Sequence, residues 1–239
     1  MMNVKLLSAY AVITTGIGRP GSTFCVCALN ALQNSMFART DPSLSRPDVQ
    51  FHLATLSSDV AGSPVHEFSG FTLSVCQLQP ESRGFVRVKS PDPLAAPAMQ
   101  PRYLSTERDR ATTVAGLRLS RKLAATRALS PYVADEYLPG PAATTDADLL
   151  EFARNKGATI FHPAGTCKMG PAGDAMAVVD AELHVHGVGN LRVVDCSVMP
   201  SLVSGNTGAP VIMAASQSGR VARGQNRRMR RAKRKPSCA

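Results

Sequence analysis

Apolar and polar residues alternate along three stretches of this chain. Residues 49–54 (VQFHLA), 71–78 (FTLSVCQL) and 85–89 (FVRVK) place apolar side chains at about every second position, the period of a strand with one face against a core. A turn at Glu81-Ser82-Arg83-Gly84 joins the second run to the third. The pattern therefore predicts adjacent antiparallel strands with one wet face. Beyond Pro91-Asp92-Pro93 the period becomes helical: Ala111, Val114, Ala115, Leu117, Leu119, Leu123 and Ala124 predict a helix that starts near Thr106 and ends near Leu129-Ser130-Pro131. A second helix is predicted from Thr144 or Thr145, either of which can cap it, through Arg154. Asp146 and Asp148 suit its first turn. Residues 39–48 read as a turn-rich loop, and residues 1–36 are rich in apolar and small side chains with weak periodicity. The fold class this predicts is α+β, an antiparallel sheet with flanking helices.

Composition changes the picture little. Of 239 residues, 44% are hydrophobic and 18% charged, which suits a globular protein. No apolar stretch is long enough to span a membrane. Leu6 to Ile13 loosely imitates a signal peptide, but Thr14, Thr15 and the glycines interrupt it and no clean cleavage site follows; a cytoplasmic chain is the expectation. The six cysteines lack metal-ligand spacing and read as free thiols in a reducing compartment. The net charge of +10 matters only by its location. Nine basic residues between Arg220 and Lys235 leave the rest of the chain near +1. That run has no aromatic residue for stacking on bases and no motif around it. A solvated, disordered tail over 214–239 is the plainer reading, and a non-catalytic basic protein holding nucleic acid or acidic partners through this tail is the competing one.

Gly16-Ile17-Gly18-Arg19-Pro20-Gly21 formally matches GxGxxG, with Asp41 twenty residues on. A dinucleotide fingerprint needs a strand before it, a helix opening from it and the acid at the end of a second strand. Pro20 sits within this turn and Asp41 lies in the turn-rich loop. The match reads as chance or as a structural turn.

Residues 158–213 differ in kind. Thr159-Ile160-Phe161 is a β-branched and aromatic run that predicts a strand delivering His162 onto a loop with Pro163 and Gly165, the setting a general base requires. Taken alone, a buried and satisfied histidine remains the plainer reading of His162. Leu191-Arg192-Val193-Val194 predicts a short buried strand ending in Asp195 and Cys196. Ser204-Gly205-Asn206-Thr207-Gly208-Ala209-Pro210 is a polar loop opening the apolar, helix-like Val211–Ala215.

With these residues in view, three segments, FHPAGTCKMG, GVGNLRVVDCSVMPSLVSGNTGAP and SRGFVRVKSPDPLAAPAMQPRYLSTERD, resemble the C-terminal part of the glucose-methanol-choline (GMC) oxidoreductases, in particular the choline-dehydrogenase-like branch. The resemblance spans about residues 37–213. It implies an FAD-dependent enzyme that oxidises a choline-like or other primary alcohol by hydride transfer to the flavin. His162 matches the family's base or hydrogen-bond partner for the substrate hydroxyl, and Asn206 matches a second polar residue beside it. By resemblance Asp195, Cys196, Asn206 and Thr207 lie against FAD; Cys196 stands where the family usually has alanine. His184 and His186 look like metal ligands, but the resemblance places them in a structural region, and no metal site is assigned.

The resemblance implies a substrate-binding domain over 37–157 and an active-site and FAD-contacting segment over 158–213, preceded by a weakly matching segment over 1–36. The C-terminal elements would belong to an incomplete FAD-binding domain, since the family's true GxGxxG front half is not matched. The change from family-like to Arg-rich sequence after Ala215 reads as a truncated or frame-altered gene product. Little activity is expected unless a separate chain supplies the FAD-binding half.

Overall fold

The computed structural model describes residues 2–5, 11–16, 34–59, 64–68 and 70–219. Their strands are β1 (Met2–Lys5), β2 (Ala11–Gly16), β3 (Asn34–Ala38), β4 (Val49–Ala54), β5 (Gly70–Gln77), β6 (Arg83–Arg87), β7 (Ala98–Gln100) and β8 (Asp135–Leu138). The helices are α1 (Glu107–Ala124) and α2 (Asp146–Lys156), followed by α3 over residues 208–219. The described residues fall into two units, one from within Leu6–Arg83 and Arg102–Phe161, the other from within Met1–Lys5, Gly84–Pro101 and His162–Ala239.

The first unit is a five-stranded sheet in the order β3-β4-β5-β2-β8, whose β2, β3, β4 and β5 pair antiparallel. Two of the predicted alternating runs are β4 and β5. Their odd-numbered residues Val49, Phe51, Phe71, Leu73 and Val75 join Val114 and Leu117 of α1 and Leu149 and Ala153 of α2 in one core. Fully burying a side chain such as Leu117 contributes about 1.5–3 kcal/mol. Gly116 lets α1 lie close, because a Cβ there would stand 3.0 Å from Val75 Cγ2.

The even-numbered face carries Gln50, His52, Thr72, Ser74 and Cys76 in cross-strand register, Gln50 opposite Cys76 and His52 opposite Ser74. The alternation predicts this polar face to be wet, and it is dry: all five residues are buried. A period of two separates the faces by polarity, but exposure depends on what else the chain lays over them. Burial pushes the Cys76 thiol up to about 12.

The predicted hairpin between the second and third runs also does not form. β6 pairs with β7 in a separate sheet, β1-β6-β7. The cause lies in the linker. The Asp109 carboxylate, on the first turn of α1, accepts the backbone N–H of Glu81 and of Ser82 and the Gln77 side-chain amide, each at 2.8 Å. These bonds divert the chain toward the helix terminus instead of turning it back on β5. Gly84 then passes so close to the returning chain that a Cβ would lie 2.1 Å from the Gln100 carbonyl oxygen.

Both predicted helix starts are present. Thr106 caps α1 by accepting the Asp109 N–H, and Thr145 and Asp148 form a reciprocal capping box at α2. Helix α1 stops at Ala124, short of the predicted end, and a 3-10 turn occupies Ser130–Tyr132. Arg121 anchors the last turn of α1 to Glu136 at 2.9 Å and to the carbonyls of Gly140 and Ala143. Residues 17–21 of the GxGxxG match lie outside the described residues. Gly16, its first glycine, ends an antiparallel strand, and the Asp41 carboxylate accepts the Ser43 N–H in a turn; neither suits a parallel βαβ dinucleotide fold.

Candidate functional site

His162 belongs to the second unit, which is built from turns and isolated bridges around a small core of Val179, Leu183 and Val198. The strand predicted over Thr159-Ile160-Phe161 is absent, as is the one predicted over residues 191–194, where only Arg192 bridges to His184. β-branched runs become strands only where a neighbour completes the ladder. Phe161 instead takes a left-handed conformation, φ 58°, with its N–H on the Thr159 hydroxyl at 3.0 Å. Such a conformation is uncommon for a bulky residue.

Short backbone bonds tie the segment after His162 to the Asp195 turn. The N–H groups of Cys167 and Met169 donate to the carbonyls of Ser197 and Val198, both at 2.9 Å, and Gly165 donates to Cys196 at 3.4 Å. Asp195 caps the 3-10 turn Cys196–Val198 by accepting the Ser197 N–H at 2.7 Å.

The closing contact comes from the other end of the segment. Thr207, buried, places its hydroxyl 2.9 Å from His162 Nδ1 across 45 residues of sequence. The Thr207 carbonyl accepts the Val211 N–H and so begins α3. Among the described residues no other hydrogen bond reaches the His162 ring, which leaves Nε2 as its open edge. Burial holds the imidazole below its ordinary pKa, so the ring is neutral at pH 7 and can accept a proton. Asn206, next to Thr207, is exposed.

The structure thus brings His162 and Thr207 into contact, sets Asn206 next to Thr207 in the chain, and ties Cys196 to the segment after His162 by a main-chain bond, with Asp195 capping the turn that Cys196 begins. The Thr207 contact is the feature that sequence reasoning missed, since no spacing rule signals a bond across 45 residues. His184 and His186 are engaged locally, with the Asp180 carboxylate at 3.3 Å and the Gly170 carbonyl at 3.1 Å. Asp180 is held below its ordinary pKa, burial working against hydrogen bonds from His184 and Glu182 that outweigh it.

A second constellation is chemically suggestive. Ser57 Oγ lies 2.7 Å from His66 Nδ1, and His66 Nε2 lies 3.3 Å from Asp59. The order is that of a nucleophilic triad, but Ser57 is only 1% exposed and cannot meet a substrate. Its role is to close the loop, where the His66 N–H also donates to the Ser57 carbonyl at 2.8 Å.

Comparison with known proteins gives this α+β chain a family. The family profile described as GMC oxidoreductase matches residues 80–215; the chain belongs to the GMC oxidoreductases. It is 38% identical to an alcohol dehydrogenase [acceptor] of Pseudomonas putida, over 80% of this chain and 34% of that protein. It is 36% identical to an oxygen-dependent choline dehydrogenase of Staphylococcus saprophyticus, over 87% of this chain and 37% of that one. Among solved structures, pyridoxine 4-oxidase from Mesorbium loti superposes with a TM-score of 0.76 at 27% identity, over 92% of this chain and 43% of that chain. An FAD-dependent oxidoreductase from Chaetomium thermophilum gives 0.65 at 26% identity, over 76% and 29%. The chain therefore spans a little over a third of the length of the curated relatives it matches.

Proposed function

We propose that residues 158–213 are the alcohol-activating end of an FAD-dependent oxidoreductase acting on CH–OH groups, with residues 37–157 as its substrate-binding domain. The observation that carries this reading is the neutral His162, held through Nδ1 by buried Thr207 within the stretch matched by the GMC family. The substrate class is a choline-like or other primary alcohol, in keeping with the relatives named alcohol and choline dehydrogenases.

The residues present suit one edge of a flavin. Asp195 and Asn206 are exposed polar groups at the segment, and the Ser197 hydroxyl beside Cys196 is buried without a hydrogen-bond partner, the mark of a polar site completed by something else. Asp195, Cys196, Asn206 and Thr207 would hold FAD there. FAD, when bound, supplies the acceptor for the hydride that leaves the alcohol carbon. His162 Nε2 accepts the hydroxyl proton as the C–H bond breaks, so the alcohol loses a proton and a hydride and becomes a carbonyl. The Asn206 amide N–H donates to the oxygen as it gains negative charge, without competing for the proton.

A dinucleotide-binding GxGxxG unit would supply the remaining flavin contacts, and a cytoplasmic setting is in keeping with free Cys76, Cys167 and Cys196. The test is titration of the purified chain with FAD, alone and with the front half of a GMC relative, followed by a panel of alcohols. Flavin retention together with alcohol-dependent bleaching that His162→Gln abolishes supports the reading. No retention under either condition overturns it.

A further inference from the structure

We infer that Asp59, Phe68 and Tyr137 form a binding site for an organic ammonium cation, a positive nitrogen carrying alkyl groups. The site lies within the first unit, shares no residue with the one around His162, and goes beyond the oxidation proposed above.

The site is built on His66. Asp59 and Phe68 lie between β4 and β5, and Tyr137 arrives on β8, which pairs with β2 beside β5. His66 Nδ1 meets the buried Ser57 hydroxyl at 2.7 Å, and Nε2 meets the Asp59 carboxylate at 3.3 Å. The His66 ring stacks on Phe68, with centroids 4.6 Å and planes 21° apart, and stands edge-on to Tyr137 at 5.0 Å and 70°. Gly70 leaves the room this packing needs, since a Cβ there would stand 3.0 Å from Ser57 Cβ and 3.4 Å from the Phe68 ring. The imidazole is thus held on both nitrogens and inside the cluster, its side chain 16% exposed. What reaches water is what it holds: Phe68 at 44%, Tyr137 at 45% and the Asp59 side chain at 48%.

The chemistry of these three groups points to one kind of ligand. Phe68 gives one face to His66, so its exposed face is the other. The Phe68 and Tyr137 rings lie 5.1 Å apart and are tilted 57° to each other. A planar guanidinium stacks on one ring, whereas a rounded alkylammonium can meet both. Ring faces are negative and attract a cation, and a neighbouring carboxylate adds the countercharge. Charge along the sequence agrees. Residues 55–70 hold Asp59 and Glu67 and no Lys or Arg, and Asp135 and Glu136 flank Tyr137, in a chain of net charge +10. Arg121, which reaches Glu136, is committed to that carboxylate and to the carbonyls of Gly140 and Ala143.

The experiment is an NMR titration of the full chain, labelled in its Phe and Tyr rings, with tetramethylammonium chloride at constant ionic strength. The neutral alcohol 2,2-dimethylpropan-1-ol, of similar size, is the control. Wild type is expected to show saturable shifts of the Phe68 and Tyr137 ring signals with the cation and none with the alcohol. Asp59→Asn and Tyr137→Leu should each weaken binding by about two- to fivefold. Tyr137→Phe, which keeps the ring and identifies the Tyr137 signals, should bind as wild type does. No saturable shift in wild type overturns the inference. Equal affinity for the neutral alcohol also overturns it, because the patch is then merely apolar, as does undiminished binding in Asp59→Asn. Should Tyr137→Leu disturb the fold, Asp59→Asn and Tyr137→Phe still decide, since the first must weaken binding and the second must not. Tetramethylammonium has no hydroxyl to oxidise and the titration needs no flavin. A chain that binds no FAD therefore removes the proposed function without touching this result, and a failed titration leaves the reading of His162 intact.

Discussion

At the scale of single residues, the chemistry rests on groups whose ionisation is set by their surroundings. Burial lowers the pKa of His162, so the folded chain binds that proton less readily than the unfolded one. The stability it contributes is fully present above about pH 6.5, the ordinary histidine value, and is lost as pH falls from there toward the folded value. The pH–rate profile of a flavin-loaded enzyme should rise through an apparent pKa below the ordinary one. A limb at or above that value would count against His162 as the base. Asp109 works the other way. Burial raises its pKa, but hydrogen bonds from Ser82, Glu81 and Gln77 outweigh that and hold it below the ordinary carboxylate range. Its contribution is present above about pH 3.9 and fades as pH falls through the lowered value. Asp109→Asn would turn an amide N–H toward a backbone donor, and thermal or urea unfolding should show a loss of about 2–4 kcal/mol. His162 is visible in the sequence only as one histidine among several plausible core residues, and its identity comes from the neighbouring motifs. The Thr207 contact is invisible there, because it is made by folding and not by spacing.

At the scale of elements, legibility follows whether the cause is local. The caps at Thr106 and Thr145 use side chains three residues apart and can be read directly. Thr145→Ala should cost about 1 kcal/mol in a denaturant titration, with the larger part of any effect in the melting of α2. Strands β4 and β5 are equally legible, since alternation is a local property. The hairpin is not, because the N–H groups of Glu81 and Ser82 are claimed by Asp109, 28 and 27 residues away. The dry polar face and the missing strands at 159–161 and 191–194 fail for the same kind of reason: cover and pairing are supplied from far along the chain. Gly84 gives this level its sharpest test. A methyl group 2.1 Å from the Gln100 oxygen cannot be accommodated without moving backbone. Gly84→Ala should therefore destabilise the β6–β7 pair, read as faster amide exchange at Val86 and Met99, while the amides of β4 and β5 stay protected.

At the scale of the whole molecule, the basic residues and the candidate site separate along the sequence. Nine of the excess positive charges lie between Arg220 and Lys235, whereas His162, Asp195, Asn206 and Thr207 lie before them, and the GMC match ends at residue 215. Among the described residues no helix is long and apolar enough to cross a membrane. Two kinds of binding can therefore be tested independently on one protein. Retention on DNA should fall steeply with salt, as expected when several Lys and Arg displace counterions, and a chain ending at Gly219 should lose it. The same shortened chain should keep the His162 resonances of the full one, because Thr207 and the ring it holds lie ahead of the cut. If the cut disturbs those resonances, the basic segment supports the site and is more than a charged appendage. If it leaves them unmoved while DNA retention vanishes, the net charge of +10 says nothing about the chemistry at His162, and the function resides in the nearly neutral body.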